Sequence, residues 1–426
     1  MKKYFIITYG CQMNKSDSER IASVLEKNNY KSCLNKKRAD LIIVNMCSVR
    51  QSAVDRIYSF KLKFKKLKEK NPHFKTILTG CISKKDKIKL RQYFDFILSI
   101  KTLEMWPEIL KGQKNQKPHE VSADYLKIYP KYSTDFSISI PISTGCNNSC
   151  TYCIVPFTRG PLICRPHEDI FKEAEDNIKK GIKEIWLLGQ NVNDYQSPIN
   201  PSIKFPGILK KINDIPGNFW IRFTSPNPKD FSEELIETMS KCEKLAEYLN
   251  LPVQSGDDEL LKKMNRTYTV KQYKDLIDKI RKRIPNIALS TDVIVGFPGE
   301  TEKQFQNTVN LFKKIKFDMA YIAKYSPRPN TKAAEIEDDV PREKKQERFR
   351  ILTNVLKKTA LENNKNFAGK EIDVLIDKIE NNHLYGKTRS YKTVRIDAPE
   401  KNIHLGSFIK VKIIKALSWG LKGEII

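Results

Sequence analysis

Three cysteines on one short loop constrain this chain more than any other feature of its sequence. Cys146, Cys150 and Cys153 stand in C-x3-C-x2-C spacing, directly after the strand-like run FSISIPIS. A structural zinc ion usually takes four protein ligands, whereas three thiolates on a 4Fe–4S cluster leave one of its irons open. An open iron indicates a reactive site rather than an electron carrier. The spacing therefore predicts an iron–sulfur cluster that takes part in chemistry.

An alternative is that the three cysteines share the buried face of a helix, since residues i, i+4 and i+7 lie on one side of a helix. Gly145, Asn147, Asn148 and Ser149 favour a loop instead, and Pro156 interrupts the run. We therefore expect a loop that binds a cluster.

This loop resembles the signature of the radical S-adenosylmethionine (SAM) enzymes. The resemblance implies a 4Fe–4S cluster on Cys146, Cys150 and Cys153, with SAM bound through its amino and carboxylate groups at the free iron. It also implies cleavage of SAM to methionine and a 5′-deoxyadenosyl radical. Tyr152 occupies the aromatic position before the third cysteine in that family, and we assign it to SAM binding.

The length and composition fit a multidomain globular protein. At 426 residues, with 40% hydrophobic and 30% charged residues, the chain has room for about two to four domains. No apolar run approaches the roughly 20 residues that span a bilayer, and the start, MKKYFIITYG, has no signal-peptide cleavage site. Nine cysteines without a secretory signal indicate metal or redox chemistry in a reducing cytoplasm. We expect no membrane association.

The charge of the chain points to a polyanionic partner. A formal net charge of +27 favours nucleic acid, although a general enrichment in Lys, Asn and Ile would also explain it. The lysines between Lys61 and Lys70 fit a solvated helix face as well as a tRNA contact.

A second set of cysteines follows the strands predicted near the N-terminus. The runs KKYFIITYG, LIIVNM and TILTG end at Cys11, Cys47 and Cys81, and helices are expected over about Ser16 to Asn28 and Gln51 to Lys70. Alternating strands and helices predict a parallel sheet, in which ligands bind beyond the carboxyl ends of the strands. The three cysteines should therefore meet at one edge of the sheet.

A second three-thiolate cluster with an open iron is the interpretation that this arrangement favours. The alternative is three small buried residues at ordinary turns. Cys33, Cys164 and Cys242 follow no such pattern, and we treat them as structural or incidental.

The middle of the chain predicts an open barrel. Residues 111 to 134 are polar and contain two prolines, as expected for a linker. From Phe136 to about Tyr325 six βα units follow, which predicts a partial TIM-like barrel with its site at the carboxyl ends of the strands. The strand ends that could contact SAM, each of which also fits a plain turn, are Gln190, Asn191, Gln254 and Gly296.

The last sixty or so residues change to the alternating pattern of short strands, after a charged helix over about Pro341 to Phe367. This pattern predicts a small antiparallel β-barrel, set apart from the cysteine ligands. Such barrels bind oligonucleotides through basic grooves and stacking aromatic side chains, although an ordinary solvated sheet face is an alternative. The candidate RNA contacts are Lys387, Arg389, Lys392, Arg395, Lys410 and Lys412, interleaved with Tyr385 and Tyr391.

Motifs along nearly the whole chain resemble the methylthiotransferases. They are TYGCQMN, NMCSVR, TGC, GCNNSCTYCIVPFTRG, LLGQNVNDY, RFTSPNP, LPVQSGDD and DVIVGFPGET. The resemblance implies an α/β chain of three domains: an N-terminal parallel-sheet cluster domain (1–115), a (βα)6 radical SAM barrel (135–360) and a C-terminal antiparallel β-barrel, the TRAM domain (366–426). CQMN and CSVR favour the branch that modifies isopentenylated adenosine beside the tRNA anticodon. Other branches modify threonylcarbamoyl-adenosine in tRNA or an aspartate of a ribosomal protein.

The implied chemistry explains the two cysteine triplets. The C2–H bond of adenine offers neither an acidic proton nor a good leaving group, so a radical is needed to replace its hydrogen by sulfur. The resemblance implies that the cluster on Cys146, Cys150 and Cys153 generates the radical and that the other cluster carries the methylated sulfur. It also implies a reducing partner such as a flavodoxin or ferredoxin, and we expect a monomer.

Two departures from the family pattern concern substrate detail rather than reaction type. Met46 replaces a commonly seen Thr, and Asn227 stands where many relatives have His. Two alternatives of other classes are a non-catalytic Fe–S RNA-binding protein, which would not consume SAM, and a zinc-binding nucleic-acid module.

Overall fold

The N-terminal part of the chain forms a five-stranded parallel sheet. The computed structural model describes residues 1–49, 51–112, 124–397 and 403–426. The strands are β1 (Lys2–Tyr9), β2 (Tyr30–Ser32), β3 (Leu41–Cys47), β4 (Lys75–Cys81) and β5 (Phe96–Ile97), in the order β2-β1-β3-β4-β5. The helices are α1 (Gln12–Lys27), α2 (Gln51–Tyr58), α3 (Phe60–Lys70), α4 (Lys84–Leu90) and α5 (Trp106–Leu110). Because β3 is buried along its whole length, its apolar run needs no alternation.

The sequence-based boundaries of two helices differ from the structure. The helix expected over 51–70 is divided at Ser59, whose hydroxyl donates to the Arg56 carbonyl at 2.8 Å and closes the first helix. The helix expected from Ser16 begins at Gln12, because Cys11 and Asn14 form a capping box there. Residues 113–123 of the predicted linker and Arg50 of NMCSVR lie outside the described residues.

Six parallel strands form the open barrel that the sequence predicts. They are β6 (Ser137–Pro141), β9 (Glu184–Leu188), β10 (Trp220–Phe223), β11 (Tyr248–Asn250), β12 (Ala288–Val295) and β13 (Met319–Lys324). They form two sheets, β6-β9-β10 and β11-β12-β13, and a parallel bridge from Ile221 to Leu245 joins the sheets. A short antiparallel pair, β7 (Ser143–Thr144) and β8 (Ile163–Cys164), holds the two ends of the cysteine loop together.

Helices cover the outside of this barrel. They are α7 (His167–Lys179), α8 (Phe205–Asp214), α9 (Glu233–Lys241), α10 (Asp258–Lys263), α11 (Val270–Arg283), α12 (Glu302–Ile315) and α13 (Arg342–Lys365), whereas the short α6 (Val155–Arg159) belongs to the cysteine loop. Their apolar faces and the strands form the largest hydrophobic core among the described residues. None of the described helices is both long and apolar enough to cross a membrane.

The C-terminal part is a closed five-stranded barrel. Its strands are β14 (Glu371–Glu380), β15 (His383–Thr388), β16 (Thr393–Asp397), β17 (Phe408–Leu417) and β18 (Gly420–Ile425), in the closed order β14-β15-β16-β18-β17. The expectation of a wholly antiparallel barrel is wrong for one pair, since β16 and β18 run parallel. A closed ring with an odd number of strands cannot alternate direction at every pair.

Helix α1 connects the N-terminal sheet to the central barrel through buried charges. Glu173 of α7 binds Arg165 at 2.8 Å and Arg20 of α1 at 3.5 Å, and the Tyr132 hydroxyl donates to it at 2.5 Å. Burial alone would raise the pKa of Glu173, but the two guanidinium groups outweigh burial and lower it. This carboxylate therefore stabilises the docking of the two domains.

Replacing Glu173 tests this contact. E173Q should lower the unfolding free energy at pH 7 by about 3–5 kcal/mol, because two buried arginines lose their counter-charge. The depressed pKa makes the contribution of Glu173 complete above the unfolded-state value of about 4.3 and removes it as the pH falls through the folded-state value. Urea unfolding of both proteins between pH 7 and pH 3 should therefore show stabilities that converge toward low pH. A difference independent of pH would contradict the assignment.

Candidate active site

The first cysteine triplet lies at the carboxyl ends of β1, β3 and β4. Cys47 and Cys81 are register neighbours, and both are buried, whereas Cys11 is exposed at the start of α1. The pKa of Cys47 is raised above its ordinary value, chiefly because its thiol donates to Cys81. The same hydrogen bond, with the charge of Arg159, outweighs burial and lowers the pKa of Cys81 to about 6. The structure thus brings together the strand ends that the sequence indicated.

Asn14 holds this triplet in place, and sequence reasoning did not single it out as a site residue. Its side-chain oxygen accepts from the Cys11 backbone at 3.2 Å, and its nitrogen donates to Asn45 at 2.9 Å and lies 4.0 Å from the Cys81 sulfur. A Cβ on Gly10 would lie 2.2 Å from the Asn14 oxygen. The TYGCQMN motif therefore needs both its glycine and its asparagine for this packing.

The second triplet lies on the loop between β7 and β8. Gly145 has a φ of +80°, and a Cβ there would lie 1.9 Å from the Pro161 carbonyl oxygen, so only glycine fits. Asn148 donates from its backbone and side chain to the Cys146 sulfur at 3.4 and 3.5 Å. Burial raises the pKa of Cys146, and raises that of Cys153 to about 12. Neutral thiols are therefore favoured here until a metal displaces their protons.

The donor set of both triplets fits an anionic iron–sulfur cluster. All nine cysteines are free thiols, and each triplet has one arginine on a sulfur: Arg159 on Cys81 at 3.0 Å and Arg266 on Cys150 at 3.5 Å. Hydrogen bonds and positive charge at the sulfurs favour such clusters. No three Cys, His, Asp or Glu side chains of the described ranges are grouped so that they could hold a single metal ion.

Arg159 joins the two triplets physically. It ends α6, on the same loop as Cys153, and is only 4% exposed. Its guanidinium binds the Cys81 sulfur, the Asp17 carboxylate at 2.6 Å and the Tyr125 hydroxyl at 3.2 Å. One side chain of the radical SAM-like loop is therefore anchored on the N-terminal cysteine site.

A cavity of about 710 Å³ opens where the three parts of the chain meet. Cys11 and Lys15 line it from the N-terminal part, Gln190 and Asp292 from the central barrel, and Tyr391 from the C-terminal barrel. The expectation that the C-terminal barrel stands apart from every cysteine ligand is therefore wrong. The turn that carries Tyr391 packs into the central barrel, a contact that local sequence patterns do not indicate.

Gln190 and Tyr152 are two of the five residues predicted to contact SAM. Gln190 lines the cavity and accepts a hydrogen bond from the Gly145 backbone at 2.5 Å. Tyr152 packs against an apolar cluster that includes Met264 and Phe297. Gln190 thus connects a strand end directly to the cysteine loop.

The other three predicted SAM contacts have structural partners. The Asn191 side chain donates to Asp230 at 3.0 Å. Gln254 has a φ of 71° and pairs with β12 through its backbone. Gly296 has a φ of +69°, and a Cβ there would lie 2.3 Å from Lys345. None of these three residues is part of the cavity lining.

Two of the six predicted RNA contacts form ion pairs between domains. Arg389 pairs with Glu247 at 2.9 Å and Lys392 with Asp318 at 2.5 Å, both across the boundary with the central barrel. Burial lowers the pKa of Lys387. Arg389 and Lys392 are therefore used to dock the C-terminal barrel, whereas Lys387 donates to Thr393 of its own barrel at 2.6 Å.

The remaining predicted RNA contacts are accessible. Arg395 pairs with Asp397 at 3.0 Å and Lys410 with Asp373 at 3.2 Å, both at the surface, and Lys412 is exposed. Surface pairs of this kind are weak, so these side chains remain available to phosphate.

Known families match all three parts of the chain. A model described as "Uncharacterized protein family UPF0004" matches residues 3–99, the radical SAM superfamily matches 140–312, and the TRAM domain matches 365–426. The solved structure of the radical SAM methyltransferase TsrM from Kitasatospora setae shares the fold, with a TM-score of 0.57 and 14% identity over 78% of this chain and 77% of that one. The radical SAM enzyme OxsB has a TM-score of 0.56 at 12% identity, over 83% and 56%. Fold and cysteine loop together define a radical SAM protein.

Curated relatives show to which family of radical SAM proteins the chain belongs. A protein of Clostridium botulinum called tRNA-2-methylthio-N(6)-dimethylallyladenosine synthase is 41% identical over 99% of this chain and 96% of its own length. Proteins of the same name from Clostridium tetani and Clostridium perfringens are 39% identical, over 99% and 100% of this chain and 96% and 98% of their own lengths. The chain belongs to this family of radical SAM methylthiotransferases.

Removing the Arg159 side chain tests the contact between the cysteine loop and the N-terminal domain. Arg159→Met leaves Asp17 ionised and buried without its partner, so the metal-free protein should lose about 3–5 kcal/mol of unfolding free energy, measured by urea denaturation. The double variant R159M/D17N should recover much of that loss, because no unpaired buried charge remains. Equal losses in the single and double variants would contradict the ion pair as the source.

Proposed function

We propose that this chain is a radical SAM methylthiotransferase that converts N6-isopentenyladenosine beside the tRNA anticodon, at position 37, into its 2-methylthio derivative. The observation that carries the proposal is the bond from Arg159 to Cys81, which joins the loop of the second cysteine triplet to the first triplet. The names of the relatives support the substrate. A non-catalytic Fe–S RNA-binding protein would not need two such triplets joined by a buried arginine.

The cofactors of this family are SAM and two 4Fe–4S clusters, one on Cys11, Cys47 and Cys81 and one on Cys146, Cys150 and Cys153. When bound, they supply a carbon-centred radical that removes a hydrogen atom from adenine, and the sulfur and methyl group that replace it. Each triplet offers three thiols, which leaves one position of a four-iron cluster open.

The side chains of the protein position the cysteine ligands and the loop that carries them. Arg159 and Arg266 hold one sulfur of each triplet, and Gln190 fixes the start of the cysteine loop through Gly145. We retain Tyr152, Asn191, Gln254 and Gly296 as SAM contacts through their backbone or rings, with Gln190 as the one on the cavity wall.

The partners follow from this activity. The substrate is tRNA, and we propose that Lys387, Arg395, Lys410 and Lys412 contact it while Arg389 and Lys392 hold the C-terminal barrel in place. A reducing protein such as a flavodoxin or ferredoxin supplies electrons, and the enzyme acts as a cytoplasmic monomer. The family matches support domains at 1–115, 135–360 and 366–426.

Mutations in the two triplets should affect different steps of the reaction. C150A removes a ligand of the SAM-binding cluster, so production of 5′-deoxyadenosine should fall to background. C47A should still cleave SAM but install no methylthio group. Iron analysis and absorbance of each anaerobically reconstituted variant control for loss of the other cluster. Equal loss of SAM cleavage in both, with the other cluster intact, would refute the division of labour.

Substrate choice is tested directly with the reconstituted enzyme. Isopentenylated tRNA, threonylcarbamoylated tRNA and the ribosomal protein are offered in parallel, and products are identified by mass spectrometry. We expect methylthiolation of the isopentenylated tRNA, since an apolar pocket excludes an unpaired carboxylate. Preference for either of the other two substrates would assign the chain to another branch of the family.

A further inference from the structure

Three aromatic side chains form one wall of the cavity, which we call the aromatic wall: Trp186, Tyr248 and Tyr391. The ring centroids lie 5.1 Å apart for Trp186 and Tyr391, 4.8 Å for Tyr248 and Tyr391, and 6.4 Å for Trp186 and Tyr248. Met13 and Leu188 belong to the same apolar cluster. The cavity therefore has an apolar part, formed by these residues.

Tyr391 enters this wall from the C-terminal barrel in an unusual backbone conformation. Its φ is +61°, a region that tyrosine rarely occupies. Strained residues persist where surrounding contacts fix them, and they are common at binding sites. Because this backbone conformation is unfavourable for tyrosine, we infer that the aromatic ring is the reason for a tyrosine at this position.

The surrounding contacts are found on the central barrel. Arg222 of β10, which is fully buried and paired with Glu184 at 2.7 Å, donates to the backbone oxygens of Thr388 and Arg389 at 2.8 and 2.7 Å. Its guanidinium also lies 5.0 Å from the centre of the Tyr391 ring. Arg222 thus fixes both the turn and the ring of Tyr391.

The chemistry of the wall suits an apolar group attached to a base. Aromatic faces bind both nucleobases and aliphatic groups, and burial of apolar carbon from water is favourable. A substituent with a carboxylate would instead lose its hydration against the rings. Among the described residues that line the cavity, Lys15 is the one with a positive charge, so it is the candidate partner for such a carboxylate.

The aromatic wall continues toward solvent. A second hollow of about 330 Å³ shares Tyr248, Tyr321 and Tyr391 with the cavity and also contains Trp419. Tyr321 is 47% exposed and Trp419 is 51% exposed. Exposed aromatic rings beside a cavity offer stacking surfaces to bases that flank the inserted one.

We propose that the aromatic wall binds the apolar N6 substituent of the target adenosine, and that Tyr391 of the C-terminal barrel determines specificity for it. The inference rests on the proposed function, since it names how that same site reads its substrate. The C-terminal barrel then contributes selectivity as well as general affinity for RNA, and Arg222 is a positioning residue that acts through Tyr391.

The test measures binding of anticodon stem-loop RNAs that differ only at the target adenosine, which is unmodified, N6-isopentenylated or N6-threonylcarbamoylated. Full-length, anaerobically reconstituted protein is used, and dissociation constants are determined by fluorescence anisotropy. The wild-type protein should bind the isopentenylated RNA at least about tenfold more tightly than the unmodified one, because several buried carbon atoms contribute. Y391N should reduce that ratio by about tenfold, since one aromatic contact is lost.

Several variants keep this result interpretable. Asparagine and glycine both tolerate a positive φ, so Y391G replaces Y391N if the latter does not fold, as judged by circular dichroism and iron content. Y391F keeps the ring and should keep the preference. Y385N makes the same substitution on the same barrel, at a tyrosine that does not line the cavity, and should leave the ratio unchanged.

The outcomes separate the two proposals. If the wild-type protein methylthiolates and prefers the isopentenylated RNA but Y391N and Y391G keep the full preference, the inference is wrong and the proposed function stands. If the wild-type protein binds and modifies the threonylcarbamoylated RNA instead, with Lys15 as the partner of its carboxylate, both are wrong. Loss of preference in Y391N and Y391G, with Y385N unaffected, supports the inference.

Discussion

The buried guanidinium of Arg159 is the contact on which the arrangement of the site depends. It binds a cysteine sulfur, a carboxylate and a phenol at once, and all of these groups belong to residues outside its own loop. A charge buried this deeply is stable only while its partners stay in place. The loop that carries one cysteine triplet is therefore held to the element that carries the other. Separation of the two would leave a cation and an anion without partners.

Parallel sheets explain why distant cysteines can converge at all. Cys47 and Cys81 are adjacent because their strands are register neighbours, and the cysteine loop leaves the central barrel at the same kind of edge. Glycines such as Gly145 allow two backbone segments to lie closer together than any side chain would permit. Backbone geometry thus brings the sulfurs together, and arginine side chains then fix how they are placed.

Much of this architecture could be predicted from the sequence. The six central strands, the three N-terminal strands that lead to the first cysteine triplet and the terminal barrel each have a local pattern, and the structure confirms them. Arg159, Asn14 and Tyr391 were not identified as parts of the site, because their roles depend on contacts between residues far apart in the chain. Arg389 and Lys392 were expected to bind RNA for a related reason: a basic side chain looks the same in sequence whether its partner is a phosphate or a carboxylate of another domain.

The position of Tyr391 has a consequence for how the enzyme is made. Synthesis proceeds from the N-terminus, and domains generally fold in that order. Both cysteine triplets are therefore complete in the nascent chain well before the residue that supplies the last wall of the cavity. The cavity therefore stays open on one side until the C-terminal barrel folds. The metal clusters can be assembled during that time, before the substrate pocket is complete.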